Sequence, residues 1–95
     1  MKKVTSFSEY LADEERVSPE ERAAVILEKE LILKLVEARQ EQGLSQRALS
    51  SISGIKQPAI ARIESMHSTP QIDTMLKMLV PLGYTLKIVP LEKSH

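Results

Sequence analysis

Apolar side chains recur at helical spacing through most of this chain. Ala24, Leu27, Leu31, Leu35 and Ala38 form one stripe, and Val25, Ile32 and Val36 form a second, so a long helix over residues 19 to about 42 with two neighbours is predicted. Its start is written into Ser18-Pro19-Glu20-Glu21, where an N-cap serine, a proline at the first helical position and two acids at the positive end of the macrodipole agree. Gly43 can take the left-handed conformation that closes such a helix. Ahead of it, Ser6-Phe7-Ser8-Glu9 fits a capping box and predicts a short helix over 7–15 with Phe7, Tyr10 and Leu11 on one face.

Beyond Gly43 the signals crowd together. Ser45 is placed to cap a helix over 46–53, Gly54 punctuates, and a helix over 57–65 turns Ile60 and Ile63 inward. Thr69-Pro70 repeats the cap-plus-proline start. With Ile72, Met75, Leu76 and Leu79 it predicts a helix over 70–80, ended by Pro81 and Gly83. The period then changes to two, as Tyr84, Leu86 and Ile88 alternate with Thr85, Lys87 and Val89, the pattern of a short strand that Pro90 confines to an edge or an end. A lone strand cannot satisfy its own backbone, and a second copy of the chain is its simplest partner, which makes Leu86, Ile88 and Val89 candidate dimerisation residues. The expected fold class is all-α, with five helices and a short C-terminal β-strand.

Composition narrows the function. A chain of 95 residues forms one compact domain with a small core and no deep catalytic cleft. The absence of cysteine excludes disulfides, thiolate metal sites and a cysteine nucleophile, and suits a reducing, cytoplasmic setting. Apolar runs reach only five residues (Ala23 to Leu27), far below the roughly 20 that a spanning helix requires, so no membrane association is expected. His67 and His95 are the two histidines and lie far apart. Glu20-Glu21 sit at a helix start, where acids belong, Glu14-Glu15 lie shortly before it, and the three glycines are isolated. Neither an enzyme nor a metal or cofactor site is expected. Met66, Met75 and Met78 read as core filler or helix packing.

Charge adds a division. The chain balances 13 basic against 13 acidic side chains. Residues 1–30 hold eight acids and five bases, a net of −3, whereas residues 31–95 hold eight bases and five acids, a net of +3. Two unlike halves point to two partners, the basic one suited to phosphate and the acidic one to a cationic surface.

Residues 46–65 have the features of two short helices meeting near a right angle: Ser50 where they approach, Gly54 in the turn, and Leu49, Ile52, Ile55, Ile60 and Ile63 to fill the elbow. With Leu44-Ser45-Gln46 before it and Thr69-Pro70-Gln71-Ile72-Asp73 after it, this segment resembles the lambda-repressor-like, or XRE, family of helix-turn-helix domains over about residues 31–83. The resemblance implies that the second helix of the pair enters the major groove of double-stranded DNA. Gln57 would then pair with adenine, Arg62 with guanine, and Ala59 would lie against a thymine methyl. A solvated helix start for Gln57 and a surface ion pair for Arg62 are the alternatives. Gln46 and Arg47 match the family's phosphate contacts, and Lys56, Ser68 and Thr69 are weaker candidates. Arg39 and Glu64 stand where relatives form a structural ion pair. Lys56 replaces the usual Ser or Thr cap, and Pro58 removes an amide early in the recognition helix, a position that tolerates proline.

The first thirty residues exceed what a DNA-binding domain requires. Phe7, Tyr10 and Leu11 beside Asp13, Glu14 and Glu15 have the make-up of a protein-binding segment, apolar anchors within a charged rim. Packing of this arm on the second stripe of the long helix is the other reading. Taken together, the arm, the repressor-like domain and the closing Thr85-Leu86-Lys87-Ile88-Val89-Pro90-Leu91 resemble HigA-type antitoxins. That resemblance implies a homodimer that binds a palindromic operator, represses its own operon and neutralises a basic RelE-like ribonuclease toxin. A stand-alone XRE-family repressor without a toxin is the alternative. The expected division is a 1–30 acidic extension for partner binding or packing, a 31–83 helix-turn-helix domain, and an 84–95 strand for dimerisation.

Overall fold

The computed structural model describes residues 18–91, and the helix expected over 7–15 lies outside them. Four α-helices follow in order: α1 (Pro19–Glu41), α2 (Gln46–Ser53), α3 (Gln57–Glu64) and α4 (Ile72–Leu79), then a 3₁₀ turn over Val80–Leu82. The fold is therefore a helical helix-turn-helix arrangement. Of the five helices expected, these four are the ones the described residues contain.

Local chemistry accounts for the helix ends. Ser18 accepts from the Glu21 amide at 3.1 Å while the Glu21 carboxylate accepts from the Ser18 amide at 3.4 Å, a reciprocal box that starts α1 behind Pro19. At its far end Gly43 takes φ 70° and Leu44 N–H donates to the Arg39 carbonyl at 3.0 Å. Ser45 accepts from the Ala48 amide at 2.9 Å to open α2, and Gly54, at φ 78°, closes it.

The start of α4 differs from expectation. Gln71, not Thr69, occupies the N-cap, and its side chain makes no cap hydrogen bond. The Thr69 hydroxyl instead donates to Glu28 Oε1 on α1 at 3.0 Å, so a bond 41 residues distant in sequence takes the group that a local cap would have used. Pro81 turns the chain after Leu79 as a 3₁₀ turn.

The core consists of Ile32, Leu35 and Ala38 from α1, Leu49 from α2, Ile60 and Ile63 from α3, Met75, Met78 and Leu79 from α4, and Leu82. Each fully buried Leu, Ile or Met stabilises the fold by ~1.5–3 kcal/mol. The burial corrects two expectations and settles a third. Ala24 and Leu27 of the first α1 stripe are exposed, because the amino-terminal half of α1 reaches past the helices that cover its other half. Ile52 does not fill the elbow but is 51% exposed, leaving that space to Leu49 and the half-buried Ile55. Met66 lies outside the core, in the turn after α3 at φ 63°, where it is 40% exposed and borders Val25 and Ile32 of α1, so it packs against a helix and does not fill the core.

No strand forms among the described residues. Residues 84–91 carry no regular structure, and no strand among the described residues offers the segment a ladder partner. Tyr84 and Leu86 pack against the core, whereas Ile88, Val89 and Leu91 are exposed. No helix among the described residues is long and apolar enough to cross a membrane.

Candidate nucleic-acid interface

The elbow between α2 and α3 is set by apolar packing and held by a polar chain. Leu49, Ile60 and Ile63 fix the crossing of the two helices from beneath. Above them Arg39 Nε donates to Glu64 Oε2 at 2.7 Å and Arg39 Nη2 to Glu64 Oε1 at 2.8 Å, while Nη1 donates to the Leu44 carbonyl at 2.8 Å. The two side chains are 11% and 6% exposed, so this bidentate pair is shielded, as the resemblance implied. The Glu64 hydrogen bond, reinforced by its charge, raises the Arg39 pKa above its ordinary value.

Glu64 does more than hold Arg39. Gln46 Nε2 donates to Glu64 Oε1 at 2.9 Å, and Gln57 Nε2 donates to Gln46 Oε1 at 2.9 Å. The line Arg39, Glu64, Gln46, Gln57 thus runs from α1 to the first residue of α3. Gln46, expected at a phosphate, has its amide engaged on both atoms by protein groups. Its geometry is that of a clamp on Gln57.

The outward face of α3 follows from what its inward face buries. With Ile60 and Ile63 in the core and Glu64 in the polar line, the opposite side carries Pro58, Arg62 and Ser65 at i, i+4 and i+7 spacing, all exposed. Ala59 stands off this face, half-buried beside Ile63. Pro58 is therefore the apolar group that shares a face with Arg62. From the sequence Pro58 stands out as a lost amide, and helical phase around Ile60 and Ile63 is the signal that places it on the face of Arg62. Arg47 in the first turn of α2, Lys56 at the α3 N-cap and Arg62 are exposed and make no ion pair among the described residues. Ser68 is half-buried, and Thr69 is tied to Glu28. His67 Nδ1 lies 2.7 Å from Ser65 Oγ at the end of α3. No cluster of His, Asp or Glu suited to a metal occurs among the described residues.

Two helices locked at an elbow, the second exposing an arginine and opening on a half-buried glutamine, with Arg47 and Lys56 exposed beside them, define a helix-turn-helix of the DNA-binding class. Residues 35–89 match the helix-turn-helix family model HTH_3, and the chain belongs to that family, in its XRE branch. An uncharacterized HTH-type transcriptional regulator of Haemophilus influenzae is 52% identical over 65 residues, 68% of this chain and 66% of that protein. The HTH-type transcriptional regulator PuuR of Escherichia coli is 43% identical over 53 residues, 56% of this chain. The chain spans just under two thirds of the first of these relatives and 29% of the second. Among solved structures, a chain of a toxin-antitoxin module from Streptococcus pneumoniae superposes with a TM-score of 0.69 at 40% identity, covering 93% of this chain and 96% of that one.

Proposed function

We propose that this chain is a DNA-binding antitoxin that represses its own operon and neutralises a basic RelE-like ribonuclease toxin. The observation that carries the reading is the extent of the likeness to the pneumococcal toxin-antitoxin chain. At 93% of this chain it reaches well beyond residues 35–89, into segments that a bare helix-turn-helix does not have. The net charge of −3 on residues 1–30 suits a toxin made cationic by its RNA substrate.

On DNA, α3 lies in the major groove. Gln57, oriented by Gln46, pairs with adenine; Arg62 pairs with guanine; Pro58, with Ala59 at its edge, meets a thymine methyl. Arg47, Lys56, Ser68 and Thr69 contact phosphates and set the register. Two copies, joined through Leu86, Ile88 and Val89, read the halves of a palindromic operator. Phe7, Tyr10, Leu11, Asp13, Glu14 and Glu15 take the toxin.

The names of the Haemophilus and Escherichia relatives favour a second reading, a transcriptional regulator with no toxin partner. One pair of measurements separates the two. The chain is titrated against its own promoter, and against any small basic protein encoded beside its gene. Tight binding to both, with toxin binding abolished and DNA binding spared on deletion of residues 1–17, supports the antitoxin. Promoter binding with no such neighbour, or with no complex, leaves the regulator alone.

A further inference from the structure

The turn that leaves α3 holds one side chain in a fixed place. Met66 N–H donates to the Ile63 carbonyl at 3.0 Å and His67 N–H to the Arg62 carbonyl at 2.8 Å, with Met66 itself at φ 63°. These two bonds about a left-handed residue are the Schellman closure of a helix, so the backbone of His67 is set relative to Arg62. The ring is anchored as well. Its Nδ1 lies 2.7 Å from Ser65 Oγ, and Ser65 Oγ lies 3.2 Å from the Arg62 carbonyl oxygen. A hydroxyl has one hydrogen to give, so both contacts are hydrogen bonds only when Ser65 donates to that carbonyl and the ring donates to Ser65 through Nδ1–H. In a neutral ring held this way Nε2 is an acceptor. A second proton turns it into a charged donor.

Location gives that donor a target. Ser65 shares the outward face of α3 with Pro58 and Arg62, and His67 is exposed at the end of it. A helix of eight residues rises about 12 Å, close to the width of the major groove, so one whose first turn meets base edges brings its last turn to the phosphate wall. The carbonyl end of a helix repels phosphate unless a cation stands there. The charged groups on the elements around the turn are Arg62 of α3, Glu28 and Lys29 of α1, which border Met66, and Asp73 in the first turn of α4. Glu28 accepts from the Thr69 hydroxyl at 3.0 Å, and His67 makes no ion pair among the described residues. We propose that His67, as an imidazolium anchored on Ser65, donates through Nε2 to a DNA phosphate oxygen at the end of α3, so that DNA binding takes up a proton.

This contact rests on the reading that α3 enters the major groove, and the two can fail separately. The affinity of the full chain for its own promoter duplex and for a scrambled duplex is measured by fluorescence anisotropy at constant ionic strength, from about pH 8 to pH 5.5, the span over which a histidine ordinarily changes charge. Expected is a gain of roughly three- to tenfold per protomer as the pH falls, the same on both duplexes because a phosphate contact is blind to sequence. His67→Gln should abolish the gain, and His67→Lys should hold the tight level at every pH. Ser65→Ala, which frees the ring, should shrink the gain without altering thermal unfolding. A wild-type affinity that does not change with pH overturns the contact and spares the groove reading. So does a gain that survives His67→Gln, one that is lost with His95→Gln instead, or one confined to the promoter. Failure to bind either duplex at any pH overturns both.

Discussion

Gln57 Nε2 donates to Gln46 Oε1 at 2.9 Å, so the first residue of the recognition helix is held by the first residue of the helix before it. Gln46 is in turn held by Glu64 at 2.9 Å, and the proposed adenine reader is aligned before any DNA arrives. Gln46→Leu removes the clamp and leaves Gln57 free to rotate. Expected is a loss on the order of 1 kcal/mol in operator affinity. It should be concentrated at one base pair when the operator is scanned by single substitutions. An equal loss on every sequence would mean that Gln46 serves the backbone instead.

Arg62 and Lys56 are both exposed cations on or beside α3, yet their expected roles differ. Arg62→Ala is expected to cost about 1–3 kcal/mol on the operator and relax the preference at one position. Lys56→Gln is expected to weaken all sequences alike and to lower the slope of log affinity against log salt by about one. Fluorescence anisotropy on specific and scrambled duplexes across a salt series measures both. A uniform loss for Arg62→Ala would contradict a reading role.

Glu64→Ala strands the Arg39 guanidinium, whose partner side chain is 6% exposed, and also frees Gln46. Loss of one member of a shielded pair costs about 3–5 kcal/mol. The variant should melt well below the parent, and any fraction that stays folded should bind the operator more weakly through the released Gln46. Chemical denaturation of the variant against the parent checks the figure; a change under about 1 kcal/mol would place the pair with exposed ion pairs.

Gly54 and Met66 share the left-handed backbone, at φ 78° and 63°, but only one is the residue that adopts it without strain. A Cβ at Gly54 meets nothing within 4 Å, so Gly54→Ala tests backbone strain alone and is expected to cost about 1 kcal/mol. That corresponds to roughly 4–8 °C in Tm for a domain of this size. Met66→Gly relieves the same backbone strain but gives up a side chain that is only 40% exposed and borders Val25 and Ile32, so its Tm shift is expected to be smaller than that of Gly54→Ala. Scanning calorimetry of the two variants compares the shifts.

Local signals in the sequence set both ends of α1 and α2, because each acts within four residues. Ser18 with Glu21, Ser45 with Ala48, and the left-handed Gly43 and Gly54 each complete a hydrogen bond or turn inside one local stretch. The family pattern further placed the Arg39–Glu64 pair across 25 residues. The packing of the helices set what depends on how they cross. It turned Gln46 inward to Glu64 and Gln57, drew the Thr69 hydroxyl away from a cap to Glu28, and put Pro58 rather than Ala59 on the face of Arg62. It left Ile52, Leu27 and Leu33 exposed although their apolar character matches that of the buried set. A periodic pattern fixes the angle of a side chain around its own helix, but whether that angle meets a neighbour, a solvated groove or a distant acceptor is set by the packing of the other helices.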